Sequence, residues 1–153
     1  MGMITRLNEH TIIGVDVSET LIDHDKSDLL QDFIAREHGR KSFIIITHLM
    51  DAWKGSIFED LIAGSFGVLS EHMFKEVHTM PESIYQAYAR DQTRRRRGVL
   101  TLTESTAAEI GYLHWKSQVA KRCGCTVLVD DRPDLNKAGC DTLGIEFIDT
   151  ALL

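Results

Sequence analysis

Five short apolar runs constrain this chain more than any other feature: Thr11–Val15, Phe43–Ile46, Val99–Leu102, Thr126–Val129 and Ile145–Ile148. Each is rich in β-branched residues and nearly continuous in hydrophobicity. A strand reads this way when both of its faces are covered, as in a parallel sheet flanked by helices. Helix signals fall between the runs. Leu29, Leu30, Phe33 and Ile34 follow Ser27-Asp28 at helical spacing, and Gly39 closes that segment. Thr106-Ala107-Ala108-Glu109 is a capping-box pattern ahead of Ile110, Leu113 and Val119, with Gly124 as a stop. Pro133 suits the first turn of a helix that Gly144 terminates. The alternation predicts an α/β fold, a doubly wound and mostly parallel five-stranded sheet.

The stretch 48–97 is longer than a crossover needs and holds two more capping patterns, Ser56 to Glu59 and Thr79 to Glu82. It is expected to be a helical insert of two or three short helices within a single domain spanning 1–153. The length of 153 residues fits one domain with a proper core. Three cysteines without paired spacing argue against a disulfide framework and for a reduced, cytoplasmic compartment. The start MGMITRLNEH lacks the apolar core of a signal peptide, and no apolar run reaches membrane-spanning length. A net charge of −6 works against a purely electrostatic nucleic-acid binder.

In an open α/β sheet the ligand site forms outside the carboxyl ends of the strands. Asp16-Val17-Ser18-Glu19-Thr20 follows the first run, Thr47 the second, and Asp130-Asp131 the fourth. If the first and fourth strands are neighbours, Asp16, Asp130 and Asp131 converge. Carboxylates that close repel one another unless a hard cation such as Mg²⁺ neutralises them.

These residues resemble the motifs of the haloacid dehalogenase (HAD) superfamily. Its first motif is an apolar strand followed by Asp-x-Asp-x-Thr; here Ile12-Ile13-Gly14-Val15 leads into Asp16-Val17-Ser18-Glu19-Thr20, with Ser18 in place of the second Asp. Its second motif, a Ser or Thr ending the next strand, is matched by Thr47. Its fourth motif, an acidic pair after an apolar strand, is matched by Asp130-Asp131, and the wording Asp130-Asp131-Arg132 resembles the phosphatase domain of phage polynucleotide kinases. The resemblance implies an HAD-like three-layer sandwich with a minimal cap, since Leu21 to Ser42 fits one loop and helix. It implies a Mg²⁺-dependent phosphohydrolase in which Asp16 attacks phosphorus and forms an aspartyl-phosphate. Asp16, the Ser18 carbonyl, Asp130 and Asp131 would hold Mg²⁺, and Thr47 would steady a phosphoryl oxygen. The expected partner is a phosphorylated substrate, small molecule or macromolecular end, with bulky ones favoured by an open site.

Two positions depart from the family. Serine is a poor general acid and base, so Ser18 forfeits a contribution of roughly 10²–10⁴-fold. The third motif, a lysine at the start of the helix after the third strand, has no match in Thr103-Glu104-Ser105-Thr106. Lys116, ten residues into that helix, is expected ~15 Å from the site, which leaves Lys54 and Arg132 as surrogate cations. The departures favour a rival reading, a catalytically degenerate HAD-fold binding or regulatory protein. A third reading, a nucleic-acid 3′-phosphatase, draws on the run Arg94-Arg95-Arg96-Arg97. That run reads first as a solvated helix end closed by Gly98. Because it precedes the expected third strand, it should lie at the edge opposite the carboxylates. Cys123 and Cys125 beside Gly124 read as packing residues, and His72 and His78 as surface or packing residues of a helix.

Overall fold

The computed structural model describes residues 2–100 and 105–153. Its sheet has five strands, all parallel, in the order β3-β2-β1-β4-β5: β1 Ile12–Val15, β2 Ser42–Met50, β3 Glu76–Met80, β4 Val127–Asp130 and β5 Glu146–Asp149. Six α-helices accompany it among the described residues: α1 Met3–Leu7, α2 Ser27–Glu37, α3 Ile57–Gly64, α4 Glu82–Arg96, α5 Ala107–Arg122 and α6 Pro133–Leu143. No helix among the described residues is long and apolar enough to cross a membrane.

Successive strand residues point to opposite faces, and that parity sorts the core. Ile13 and Val15 of β1, Phe43 and Ile45 of β2, and Val127 and Val129 of β4 pack on one face with Leu30, Phe33 and Ile34 of α2 and Ile57 and Leu61 of α3. Ile44, Ile46 and Leu128 pack on the other face with Trp115, Val119 and Ala120 of α5 and Cys140 of α6. Helices therefore cover both faces, as the continuous apolar runs require. On the α5 face, β1 contributes Gly14. A Cβ there would lie 3.2 Å from the ends of the Ile46 and Leu128 side chains, which would have to give way by a few tenths of an ångström.

The helix signals were sound at three points. The Thr106 hydroxyl accepts from Glu109 N at 3.1 Å and the Glu109 carboxylate accepts from Thr106 N at 3.1 Å, closing the capping box of α5. Pro133 starts α6, and Gly144 ends it with a left-handed φ of 71°. At Ser56 and Thr79 the expected capping boxes do not form: Ser56 makes no side-chain cap bond, and Thr79 lies in β3 with its hydroxyl bound to Asp51.

The third strand is a correction. Val99 and Leu100 are not in a strand, and Leu102 lies outside the described residues. Val99 is 69% exposed, and its N–H bonds Arg94 O at 2.9 Å, turning the chain after α4 with Gly98 at φ 73°. The actual third strand, Glu76–Met80, lies inside the stretch 48–97 expected to be a helical insert. Among the described residues it is an edge strand that pairs only with β2, and its alternation of Glu76, His78 and Met80 with Val77 and Thr79 hides it from a search for continuous apolar runs. His78 is thus a strand residue, and His72 sits in a short 3₁₀ turn at Glu71–Met73.

Candidate active site

Asp16 follows β1 directly, and its N–H bonds Val129 O at 3.0 Å, so the end of β1 is tied to β4. Asp130 closes β4. Both have the parity of Gly14 and Leu128 and turn toward α5. The inward stripe of α5 runs Tyr112, Lys116, Val119 and Cys123, three and four residues apart. Lys116 consequently meets both carboxylates: its Nζ lies 2.9 Å from Asp16 Oδ1 and 2.5 Å from Asp130 Oδ2.

This overturns the expectation that Lys116 lies ~15 Å away. The expectation took the start of α5 to coincide with the carboxyl edge of the sheet. Instead the first half of α5 projects past that edge and Lys116 sits level with it, while Cys123 lies beside His78 of β3. The signal was available: Lys116 shares a helical stripe with Tyr112 and Val119, where a solvated lysine does not belong. Lys54 is exposed on the 3₁₀ turn Asp51–Ser56 and does not line the cavity.

A cavity of about 230 Å³ opens over this cluster, lined by Asp16, Ser18, Thr47, Lys116, Asp131 and Arg132. Thr47 is buried inside β2, which runs on to Met50; its hydroxyl accepts from Leu49 N at 3.2 Å and keeps its own proton to donate. Ser18 is exposed in the loop after β1. Thr20 turns away and is fully buried, its hydroxyl 3.0 Å from that of Thr150. A second cleft of about 340 Å³ shares Ser18 and Thr47 with the first and continues between Ile22, Asp23, Ile57 and Asp60.

The wall of the first cavity is aromatic. His48, on the α5 face of β2, stacks on Tyr112 with ring centroids 4.7 Å apart, and Tyr112 stacks on Tyr88 of α4 at 3.9 Å. Burial, then the nearby Lys116 ammonium, push His48 down to about 3, so its ring is neutral at pH 7. Its Nε2 is buried and has no partner among the described residues. Neither His48 nor Tyr112 was singled out from the sequence.

Two buried carboxylates share one ammonium. Burial alone would lower the Lys116 pKa, yet Asp16 and Asp130 raise it, so the ammonium stays charged. Burial and the Asp16 charge push Asp130 upward against the pull of Lys116, and the same two causes raise Asp131. The surplus negative charge is what a cation would relieve. Ligand oxygens of Asp16, Asp130 and Asp131 lie within 4.8 Å of one another, an all-oxygen set suited to Mg²⁺. Asp130 is already engaged through Lys116 at Oδ2 and Arg132 N at Oδ1 (2.8 Å), whereas Asp131 is half-buried and faces the cavity.

The arginine run also lies elsewhere than expected. Helix α4 leaves the carboxyl end of β3 and packs antiparallel to α5: Tyr88 meets Tyr112, and Arg95 pairs with Glu109. Glu109 is seven residues before Lys116, or ~10 Å along the helix. Arg94–Arg97 therefore sit beyond the same edge as the carboxylates, at the tip of a helical hairpin. Thr103 and Glu104 lie outside the described residues, and Ser105 is exposed.

No family model matches the chain, and no curated protein matches it. Among solved structures, it is similar to an uncharacterized protein from Corynebacterium glutamicum ATCC 13032 Kitasato, at 17% identity over 91% of this chain and 83% of that one, with a TM-score of 0.46. It is also similar to a universal stress protein in complex with cAMP, at 10% identity over 92% of this chain and 95% of that one, with a TM-score of 0.42.

Proposed function

We propose that this chain is a Mg²⁺-dependent phosphohydrolase of HAD type that works through an aspartyl-phosphate at Asp16. The observation that carries the reading is Lys116, in contact with both Asp16 and Asp130 beneath a cavity that Thr47 also lines. It supplies the cation that the resemblance asks for in its third motif.

A carboxylate approaches a phosphoryl dianion only where positive charge and hydrogen-bond donors offset the repulsion. Lys116, paired with Asp16 and Asp130, neutralises part of the cluster. The Thr47 hydroxyl donates to a phosphoryl oxygen. Asp16 and Asp131, with the Ser18 carbonyl and Asp130, would hold Mg²⁺, which when bound draws the phosphate in and spreads its charge. The in-line leaving group would occupy the second cleft, where Ser18 stands at the divide between the two. Serine offers a hydrogen bond there but no proton of useful acidity.

The exposed side chains of Arg94, Arg96 and Arg97 on the site's side of the sheet favour a narrower version, a nucleic-acid 3′-phosphatase. Ser18 favours the rival from another class, a degenerate HAD-fold binding module. A panel of aryl, alkyl and acyl phosphates and 3′-phosphorylated oligonucleotides, each with and without Mg²⁺, separates them. Turnover that needs Mg²⁺ and vanishes in Asp16→Asn supports the enzyme. Mg²⁺ binding with no turnover of any compound, even in Ser18→Asp, refutes it and leaves the binding module.

A further inference from the structure

We propose that Glu76, His78 and Cys123 form a second metal site, for Zn²⁺ or a similar borderline divalent ion, at the amino end of the sheet. It is separate from the carboxylate cluster: Cys123 is seven residues beyond Lys116, ~10 Å along α5. The inference stands independently of the phosphohydrolase reading.

The juxtaposition follows from the fold. Glu76 and His78 are two apart in β3 and share a face, the one on which Met80 packs against the α5 side. Cys123 is the C-cap of α5, just before Gly124 (φ 78°) returns the chain to β4. His78 Nε2 lies 3.3 Å from Glu76 Oε2 and 3.3 Å from Cys123 Sγ. The three ligand atoms all fall within 4.8 Å of one another.

Those spacings suit a tetrahedral ion. With Zn–S near 2.3 Å and Zn–N and Zn–O near 2.0–2.1 Å, neighbouring ligand atoms of a tetrahedron lie roughly 3.3–3.6 Å apart. The donor set of one sulfur, one imidazole nitrogen and one carboxylate oxygen selects a borderline ion over Mg²⁺. Three protein ligands leave the fourth position open, and a cavity of about 370 Å³ borders it, floored by Ile12, Ile44 and Val119. Lys75 and Arg122 also line that cavity. Their charges oppose a free dication but favour an anionic fourth ligand, hydroxide or a carboxylate, once the metal is bound.

Co²⁺, which reports thiolate ligation directly, is the probe. The full-length reduced protein titrated with Co²⁺ should develop a near-ultraviolet thiolate charge-transfer band and strong visible bands of low coordination number, saturating at one equivalent. Zn²⁺ should displace it and Mg²⁺ should not. Cys123→Ser should abolish the charge-transfer band. Outer-shell partners alone are worth about 10–100-fold in affinity, so His78→Ala should weaken Co²⁺ by at least about tenfold. Asp130→Asn should leave the spectrum unchanged. All three ligand positions are at least partly exposed, and matching circular dichroism spectra will show that the variants fold. A wild-type spectrum without a thiolate band, or one whose band survives Cys123→Ser, overturns the site.

Discussion

Replacing Lys116 by Met removes the ammonium and keeps most of the side-chain volume, so the outcome isolates charge. The Lys116 side chain is 2% exposed, Asp130 is fully buried and Asp16 nearly so. Removing one partner of a buried ion pair typically costs about 3–5 kcal/mol. Here the orphaned cluster has an escape: Asp130, already pushed upward, can take a proton. Holding a carboxyl of ordinary pKa 3.8 protonated costs 1.36 kcal/mol per pH unit above that value. The ceiling on the penalty is therefore about 5.7 kcal/mol at pH 8 and about 1.6 kcal/mol at pH 5. Between those limits the folded variant binds more protons than the unfolded chain, so its stability falls as pH rises.

Urea unfolding at pH 5, 6.5 and 8 reads this directly. The variant should lose roughly 3–5 kcal/mol against wild type at pH 8 and only about 1–2 kcal/mol at pH 5. Mg²⁺ should stabilise the variant more than the wild type, because it replaces the missing charge. A loss that is the same at all three pH values, or no loss, would refute the argument that Lys116 balances two buried carboxylates.

Asp131→Asn, a half-exposed change, should leave the apo protein nearly as stable as wild type while sharply reducing the rise in Tm that Mg²⁺ produces; an unchanged Mg²⁺ response takes Asp131 out of the metal site. His48 binds its proton far less readily folded (about 3) than at its ordinary value of 6.5, so the unfolded chain takes up protons first and stability declines as pH falls through that window. His48→Phe should flatten that decline in thermal melts, and an identical slope in the variant would show that His48 is not responsible. Changing Arg94, Arg96 and Arg97 together to Gln, with Arg95 kept for its pairing with Glu109, should spare hydrolysis of a small phosphate ester and weaken binding of a polyanionic end. Collapse of small-ester turnover would bring the hairpin tip into the chemistry.

The sequence disclosed what continuous patterns and caps encode. β1, β2 and β4 carry runs of β-branched residues because both faces are covered, and that signal is strong; the edge strand β5, with only Ile148 fully buried, was legible from the apolar pattern Ile145-x-Phe147-Ile148. β3 escaped because an edge strand with one neighbour tolerates Glu76 and His78, which break the run. The arginine run was misplaced as a direct consequence, since its side of the sheet was inferred from a strand at Val99–Leu102. Asp16, Thr47 and Asp130-Asp131 could be found because strand ends fix their position in an open sheet. Lys116 could not be found by distance from a helix start, because nothing in the sequence says how far α5 overhangs the edge. Helical parity did hold the answer: a lysine on the stripe of Tyr112 and Val119 must be buried, and a buried lysine must find carboxylates.

On the proposed phosphohydrolase reading, Ser18 stands where the resemblance asks for an acid, and its effect should fall unequally on the two chemical steps. Attack by Asp16 on an alkyl phosphate expels an alkoxide, which needs a proton as it leaves. Ser18 cannot supply one, and His48, held neutral down to about 3, has no acidic proton at pH 7 either. The second step differs, because an aspartyl-phosphate is a mixed anhydride whose leaving group is a carboxylate. Water needs less help there, and the hydrogen bonds of Ser18 and Thr47 can orient it. The deficit therefore concentrates on poor leaving groups, and on this reading the substrate is one whose leaving oxygen departs as a stable anion: an acyl phosphate, a phosphoanhydride or an acidic aryl ester.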